Sequence, residues 1–333
     1  MSLKKIAQMT GTSVSTVSRV LNHTSSTCAS KELQDKIFDA ARSIGYQPNE
    51  NARNLRKSSP GFLSQIRISI VLARIKTLDA DPFFYELFRS LEIALLDNHI
   101  QIDQVIYLDE QLSFSIPKSQ GIIILGRCSQ KILDRILSFN SNVIGIWRNS
   151  MNFNVDEVIC DGKKAAELAM KHLISLGHKN IAYIGDCSYE SRYIGYCNSL
   201  ISNNIPLNYA WIKQTNQTGE EGEHALLELL ETSSEFSAIL CANDITAIHA
   251  LKVLKEKYGK SNGKISVISI DDIEESQYTS PFLTTVHIPR EEMAHMAVTL
   301  LLDRIAKKHT ETIRVEFPCR IVNRCSCYEF PPT

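Results

Sequence analysis

The apolar positions of this 333-residue chain change rhythm along its length. Up to residue 45 they recur at three- and four-residue intervals, the spacing of one helical face, in three short blocks. Leu3, Ile6 and Ala7 share one side of "LKKIAQMT", which Gly11 ends. Val14, Val17, Val20 and Leu21 share one side of "VSTVSRVL", with Ser13 placed to cap it. Leu33, Ile37, Ala40, Ala41 and Ile44 form a third face between a Ser30 cap and Gly45. Only a short turn containing Gly joins the first two blocks. The pattern therefore predicts a helix-turn-helix, whose second helix can be offered to a major groove.

The second helix is built from poor helix formers. Five hydroxyl side chains fall between Thr12 and Arg19, and Ser and Thr compete with the helix for backbone hydrogen bonds. Packing of Val17, Val20 and Leu21 would hold such a helix and leave Ser15, Thr16, Ser18 and Arg19 facing outward. Val14 fits either face. Hydroxyls and free amides at a helix N-terminus suit phosphate, and the Arg19 fork suits a guanine edge or a phosphate.

Residues 47–60 read as a hinge: Asn49 after Pro48 can start one or two helical turns, and Pro60-Gly61 breaks them. From Ile66 the rhythm becomes alternation of buried runs with amphipathic stretches. "IRISIVLA", "GIIILG", "VIGIW", "IAYIG", "AILCA" and "ISVISI" predict strands, and 83–98, 130–139, 163–176, 190–203, 221–231, 244–258 and 290–307 predict helices. Such alternation makes doubly wound parallel sheets with ligands beyond the C-terminal strand ends. Two lobes over about 265 residues would enclose a cleft. The expected organisation is an all-α DNA-binding head over 1–46, a hinge over 47–60 and an α/β body over 66–330.

Charge sharpens this picture. Residues 1–59 carry nine Lys/Arg and four acids, a net of +5, whereas the remainder carries 27 basic and 33 acidic side chains. A basic arm on an acidic body points to nucleic acid. No run is long and apolar enough for a membrane span and no signal-peptide layout opens the chain, so a cytoplasmic location is expected. The odd count of nine cysteines fits reduced thiols, and Cys325-x-Cys327 lacks the second ligand pair of a zinc site. No metal and no cofactor is expected.

"LKKIAQMTGTSVSTVSRVLN" resembles the DNA-binding signature of the LacI/GalR family of bacterial transcriptional repressors. The likeness continues through "GYQPNENARNL", "DPFFYELFRSLE", "HLISLGHKNIAYIGD", "SRYIGY", "CANDITAIHAL", "ISVISIDDIEESQYTSPFLTTV" and "CRIVNRCS". It implies a periplasmic-binding-protein-like body with an N-lobe of about 66–157 and 286–317 and a C-lobe of about 158–285 and 318–330. It also implies a homodimer or tetramer on a pseudo-palindromic operator, released or held by a small effector. By the resemblance Val14 and Ser15 select operator bases, while Thr16 and Ser18 anchor phosphate. "ARNL" matches the family's minor-groove helix, placing Leu55 as a wedge between base pairs, with Asn49, Ala52, Arg53 and Arg56 beside it. Arg192 in "RYIGY" aligns with an effector-clamping arginine, and Asp161 with a loop aspartate at the lobe junction.

Asn243 and Asp271 end strands, where donor and acceptor groups suit carbohydrate hydroxyls. Phe83 and Phe84 could stack on a pyranose or a base, one of them serving packing. Two departures stand out: Trp147 replaces a common acid and favours a stacking effector, and Lys5 replaces a common Asp. The helices at 83–98 and 244–258 are the expected dimer surface.

Enzymatic alternatives lack support, because no Gly-x-Gly-x-x-Gly, GxxxxGK[ST] or Gly-x-Ser-x-Gly is present. A transporter's solute-binding protein would need a signal peptide and no DNA head. Activation instead of repression stays open.

Overall fold

A computed structural model describes residues 3–21, 29–30, 33, 36–37, 40–41, 44, 66–73, 77, 81–108, 119–188, 190–232, 235–259 and 265–330. Met1–Ser64 and Gln65–Thr333 form separate units.

In the first unit, α1 (Leu3–Thr10) and α2 (Val14–Leu21) meet through Gly11. Its φ of 63° lies in the left-handed region that a side chain resists. The Thr12 amide donates back to the Ala7 carbonyl at 3.1 Å, and Ser13 Oγ accepts the Thr16 amide at 3.0 Å, which caps α2. Residues 33, 36–37 and 40–41 are also helical. There Ser30 Oγ accepts the Leu33 amide at 3.4 Å. Ile6, Ala7, Val17, Val20, Ile37, Ala40 and Ala41 bury together as the core of this unit. The Leu21 side chain, Gly45 and the whole expected hinge, with Asn49, Ala52, Arg53, Leu55 and Arg56, lie outside the described residues.

The second unit begins with β1 (Arg67–Leu72), α3 (Pro82–Asp97), β2 (Gln101–Tyr107), β3 (Gly121–Leu125), α4 (Gln130–Phe139), β4 (Val143–Trp147) and β5 (Asp156–Ile159). It continues with α5 (Gly162–Ser175), β6 (Ile181–Gly185), α6 (Ser191–Ser202), β7 (Ile212–Gln214), α7 (Gly219–Thr232), β8 (Ala238–Cys241) and α8 (Asp244–Tyr258). β9 (Ser266–Asp271), β10 (Thr284–His287), α9 (Arg290–Ile305), β11 (Arg314–Glu316) and β12 (Arg320–Val322) complete it.

These strands make two six-stranded sheets, ordered β11-β5-β4-β3-β1-β2 and β12-β10-β9-β8-β6-β7. Ladders such as β1–β3 and β8–β9 are parallel, while β12 pairs antiparallel to β10. Strands of such sheets are covered on both faces. Accordingly Ile68, Ile70 and Leu72 of β1 enter one core and Val71 the other.

The chain passes from one lobe to the other after Ile159, after His287 and between Glu316 and Arg320. The first two crossings fall about two residues beyond 157 and 285, because β5 and β10 run that far. Buried carboxylates pin the later passages. Asp156 accepts from Arg304 Nε and Nη2, both at 2.7 Å, from His309 at 2.8 Å and from the Ile313 amide at 2.8 Å. Asp244 accepts from Ser269 and Thr285 hydroxyls at 2.6 Å each and from the Ile273 amide at 2.9 Å.

Candidate functional site

The helix-turn-helix separates its residues by face. Val17 and Val20 are 0% and 4% exposed, whereas Val14 is 40% exposed. Val14 therefore stands on the outward face with Ser15 and Arg19, and with Thr16 and Ser18 at its half-buried margins. Ser13 Oγ bonds both Ser15 Oγ at 2.7 Å and Thr16 Oγ1 at 2.8 Å. This chain of hydroxyls keeps the N-terminal turn polar and rigid while Val17 and Val20 hold it from behind.

In the body, the ends of β4 and β9 face each other across the cleft. Arg148, following β4, meets Asp271 at the end of β9. Its Nη2 donates to Oδ2 at 3.1 Å. Nη1 lies 2.7 Å from Oδ1 as an ion contact, without the angle of a hydrogen bond. The same guanidinium lies 4.2 Å over the Phe83 ring, a cation–π contact. Arg290 lies 5.7 Å from that ring, pairs with Glu86 at 2.7 Å and donates to the backbone carbonyls of Asp271 and Asp272. Glu86 also accepts the Glu274 amide at 2.9 Å. The bridging polar groups thus close the lobes on each other. Beside them a cavity of about 450 Å³, partly open to solvent, is lined by Phe83, Phe84, Arg127, Trp147, Arg148 and Glu190 among others.

Asp271 carries the strain and the unusual charge of this cleft. Its φ of 137° and the 57° of Asp272 lie where side chains are disfavoured. Burial pushes the Asp271 carboxyl up to about 7, against the pull of Arg148. Burial acts the same way on Asp272. There, hydrogen bonds from His287 and Arg324 outweigh it and hold the carboxyl down at about 2.

Arg192 is 1% exposed at the start of α6. It donates to the Ala242 carbonyl at 2.5 Å, to Glu190 at 2.9 Å and to Gln217 Oε1 at 2.7 Å. Burial opposes its charge, but Glu190 more than compensates and raises its affinity for the proton. Asn243 caps α8, accepting the Thr246 amide at 3.1 Å and donating to the Gln217 carbonyl at 3.0 Å. Asp161 caps α5, accepting the Lys163 amide at 2.8 Å. Phe83 and Phe84 stand edge to face at 5.5 Å. The indole of Trp147 folds back over Gly145, where an added Cβ would lie 1.9 Å from the ring. It borders the cavity, and its main packing partners are Phe153 and the second core of the N-lobe.

The structure thus brings Phe83, Phe84, Trp147, Arg192, Asn243 and Asp271 around one cleft, with Asp161 at the adjoining helix start. Sequence reasoning missed Arg148, Arg290, Glu86, Glu190 and Gln217. Arg148 carried a signal, since it follows a buried strand directly and so sits at a ligand-binding end.

Residues 2–49 match the family model described as "Bacterial regulatory proteins, lacI family", and residues 170–327 match a "Periplasmic binding protein-like domain". The chain is 27% identical to the HTH-type transcriptional repressor PurR of Photorhabdus laumondii subsp. laumondii, covering 99% of this chain and 97% of that one. It is 26% identical to the PurR repressor of Mannheimia succiniciproducens, over 97% and 98% of the two chains. The chain belongs to the LacI family.

Among solved structures, this LacI-family chain is similar to a CelR–cellobiose complex, with a TM-score of 0.70, 22% identity and 98% and 99% coverage of the two chains. It is similar also to a lac repressor dimer bound to operator and an anti-inducer, with a TM-score of 0.68, 20% identity and the same coverage. Both show the same head-and-two-lobe fold. Like its relatives, the LacI-family chain is a DNA-binding transcriptional regulator of repressor type, not an enzyme. No helix among the described residues is long and apolar enough to cross a membrane.

Proposed function

We propose that this regulator is a cytoplasmic homodimer that represses by binding a pseudo-palindromic operator and responds to a carbohydrate held in the inter-lobe cleft. One observation carries the effector reading: buried polar atoms without hydrogen-bond partners gather in that cleft. Among the described residues Arg192 Nε and Gln217 Nε2 lack one, while Arg148 Nη1 and Asp271 Oδ1 meet only each other, in the ion contact at 2.7 Å. Buried donors and acceptors are normally satisfied. A polyhydroxylated ligand can accept from Arg192 Nε and Gln217 Nε2 and, by entering between Arg148 and Asp271, give to the carboxylate. Solved relatives hold cellobiose and, in the Enterococcus faecium regulator at 24% identity and TM-score 0.69, ribose.

On the DNA side, Val14, Ser15, Thr16, Ser18 and Arg19 read a half-site, and Leu55 enters the minor groove with Asn49, Ala52, Arg53 and Arg56 along it. The outward row of Tyr85, Ile93 and Leu96 on α3, 45%, 57% and 72% exposed, supports that helix as the dimer surface, and α8 is the second candidate.

A thermal-shift screen of the full chain against mono- and disaccharides, sugar phosphates and nucleobases tests the effector, since bound ligand stabilises the native state by mass action. Stabilisation by a sugar, lost in Arg192→Ala, is the expected result; stabilisation by nucleobases alone would overturn the carbohydrate reading. Arg19→Ala is expected to weaken operator binding by about 1–3 kcal/mol, and unchanged footprints would remove Arg19 from the interface.

A further inference from the structure

Two of the three passages between the lobes bring cysteines together. Cys160 follows β5 at the first crossing, and Cys319 precedes β12 at the third. The parallel ladder of β5 with β11 sets their approach, with Ile159 opposite Glu316 and the Phe317 amide donating to the Ile159 carbonyl at 2.8 Å. Cys319 packs against the core that holds Cys160, and each thiol is the strongest influence on the other's ionisation. Both are reduced. Their environments differ: Cys160 is 0% exposed, whereas Cys319 is only partly buried, at the edge of the same core.

The neighbouring Cys160 thiol favours the thiolate of Cys319 and lowers its pKa, while Cys160 itself is raised by Cys319 and by burial. A thiolate that solvent can reach is the nucleophile, and a neighbouring thiol is what resolves its oxidised form.

We propose that Cys160 and Cys319 are a hydroperoxide-oxidised thiol pair whose disulfide fastens the first inter-lobe crossing to the third. In the first step the Cys319 thiolate attacks hydrogen peroxide: an S–O bond forms, the O–O bond breaks and hydroxide leaves. Sulfur gives up two electrons and the peroxide takes them. In the second step the Cys160 sulfur attacks the Cys319 sulfenic acid. The S–S bond forms, the S–O bond breaks, and the oxygen departs as water with the Cys160 proton. Such a bond is reversible in a reducing compartment, as regulatory disulfides there are. It restrains the inter-lobe crossings, one of which leads directly into Asp161 at the start of α5.

The test treats the full chain with hydrogen peroxide, alkylates the remaining thiols under denaturing conditions and maps non-reduced peptides by mass spectrometry. The expected result is an intrachain cross-link of Cys160 to Cys319 that dithiothreitol removes. Cys160→Ser is expected to lose the cross-link and accumulate a dimedone-reactive sulfenic acid at Cys319, and Cys319→Ser to leave Cys160 as a thiol. Recovery of both cysteines as thiols while others oxidise would overturn the proposal. So would a Cys160–Cys319 bond found only between two copies of the chain, or wild-type Cys319 ending as sulfinic acid without a cross-link.

Discussion

Asp271→Asn isolates the energetic cost of the charge at the heart of the cleft. The Asp271 carboxyl titrates near 7 in the folded protein, against an ordinary 3.8. Between those values the native state holds a proton that the unfolded chain releases. Stability from this group is therefore fully present below pH 3.8 and is lost as the pH rises through 7. At ~1.4 kcal/mol per pH unit, the full window is worth about 4 kcal/mol, with the attraction of Arg148 already included. The Asn side chain keeps the shape and does not titrate. Wild-type stability minus that of Asp271→Asn should fall by about 1.4 kcal/mol for each unit between pH 4.5 and 6.5 and level off above 7.5.

Urea melts followed by tryptophan fluorescence measure this difference cleanly, because Trp147 and Trp211 are the only tryptophans and both belong to the second unit. Effects of other titrating groups cancel in the difference. A difference that stays flat between pH 5 and 7.5 would refute the reasoning, since it would mean that Arg148 fully offsets the burial.

Arg304→Ala should cost about 3–5 kcal/mol in urea melts, because it strips a two-point partner from the fully buried Asp156. Hydrogen bonds hold that carboxyl below its ordinary value despite burial, so its stabilisation exists above that value and fades as the pH falls through the lowered one; the variant should show less acid sensitivity than the wild type. Gly145→Ala forces a methyl onto the Trp147 ring. It should lose at least about 1–3 kcal/mol and shift tryptophan emission to the red; unchanged emission would show that the indole has another place to go. Ser13→Ala removes the cap of α2 and should cost about 1 kcal/mol, read as faster hydrogen exchange at the Thr16 amide first.

What the chain's pattern revealed followed from how each element buries its surface. β1, β3, β4, β6, β8 and β9 are apolar through most of their length, and all six stood out as runs. β2 did not, because an edge strand leaves Gln101, Asp103 and Gln104 in solvent and mixes its rhythm. β5 begins with Asp156 and Glu157, which read as loop residues until Arg304, His309 and Arg314 are brought to them from about 150 residues away. The same distance hid much of the cleft. Asp271 and Asn243 announced themselves by ending strands, but the Arg148 partner of Asp271 lies 123 positions away in sequence. Trp147 misled in direction only: Gly145 opens a place behind it, and the indole occupies that place instead of facing the cleft squarely.

The threefold passage between the lobes also orders the protein's assembly during synthesis. Helices α5 to α8 and strands β6 to β10 are contiguous in sequence, so most of the C-lobe can form once its residues leave the ribosome. The N-lobe starts first and waits longest. Its core needs Met293, Ala294, Ala297, Val298 and Leu301 from α9, with Leu301 lying against Gly121 of β3. Its edge needs β11 beside β5. Until residues 290–316 emerge, Ile144, Ile146 and Val158 lack their cover and Asp156 lacks Arg304. The lobe translated first therefore completes its core only after most of the other lobe has been made. Its nascent form presents an apolar sheet face for most of translation, the stage at which such chains are most prone to aggregate.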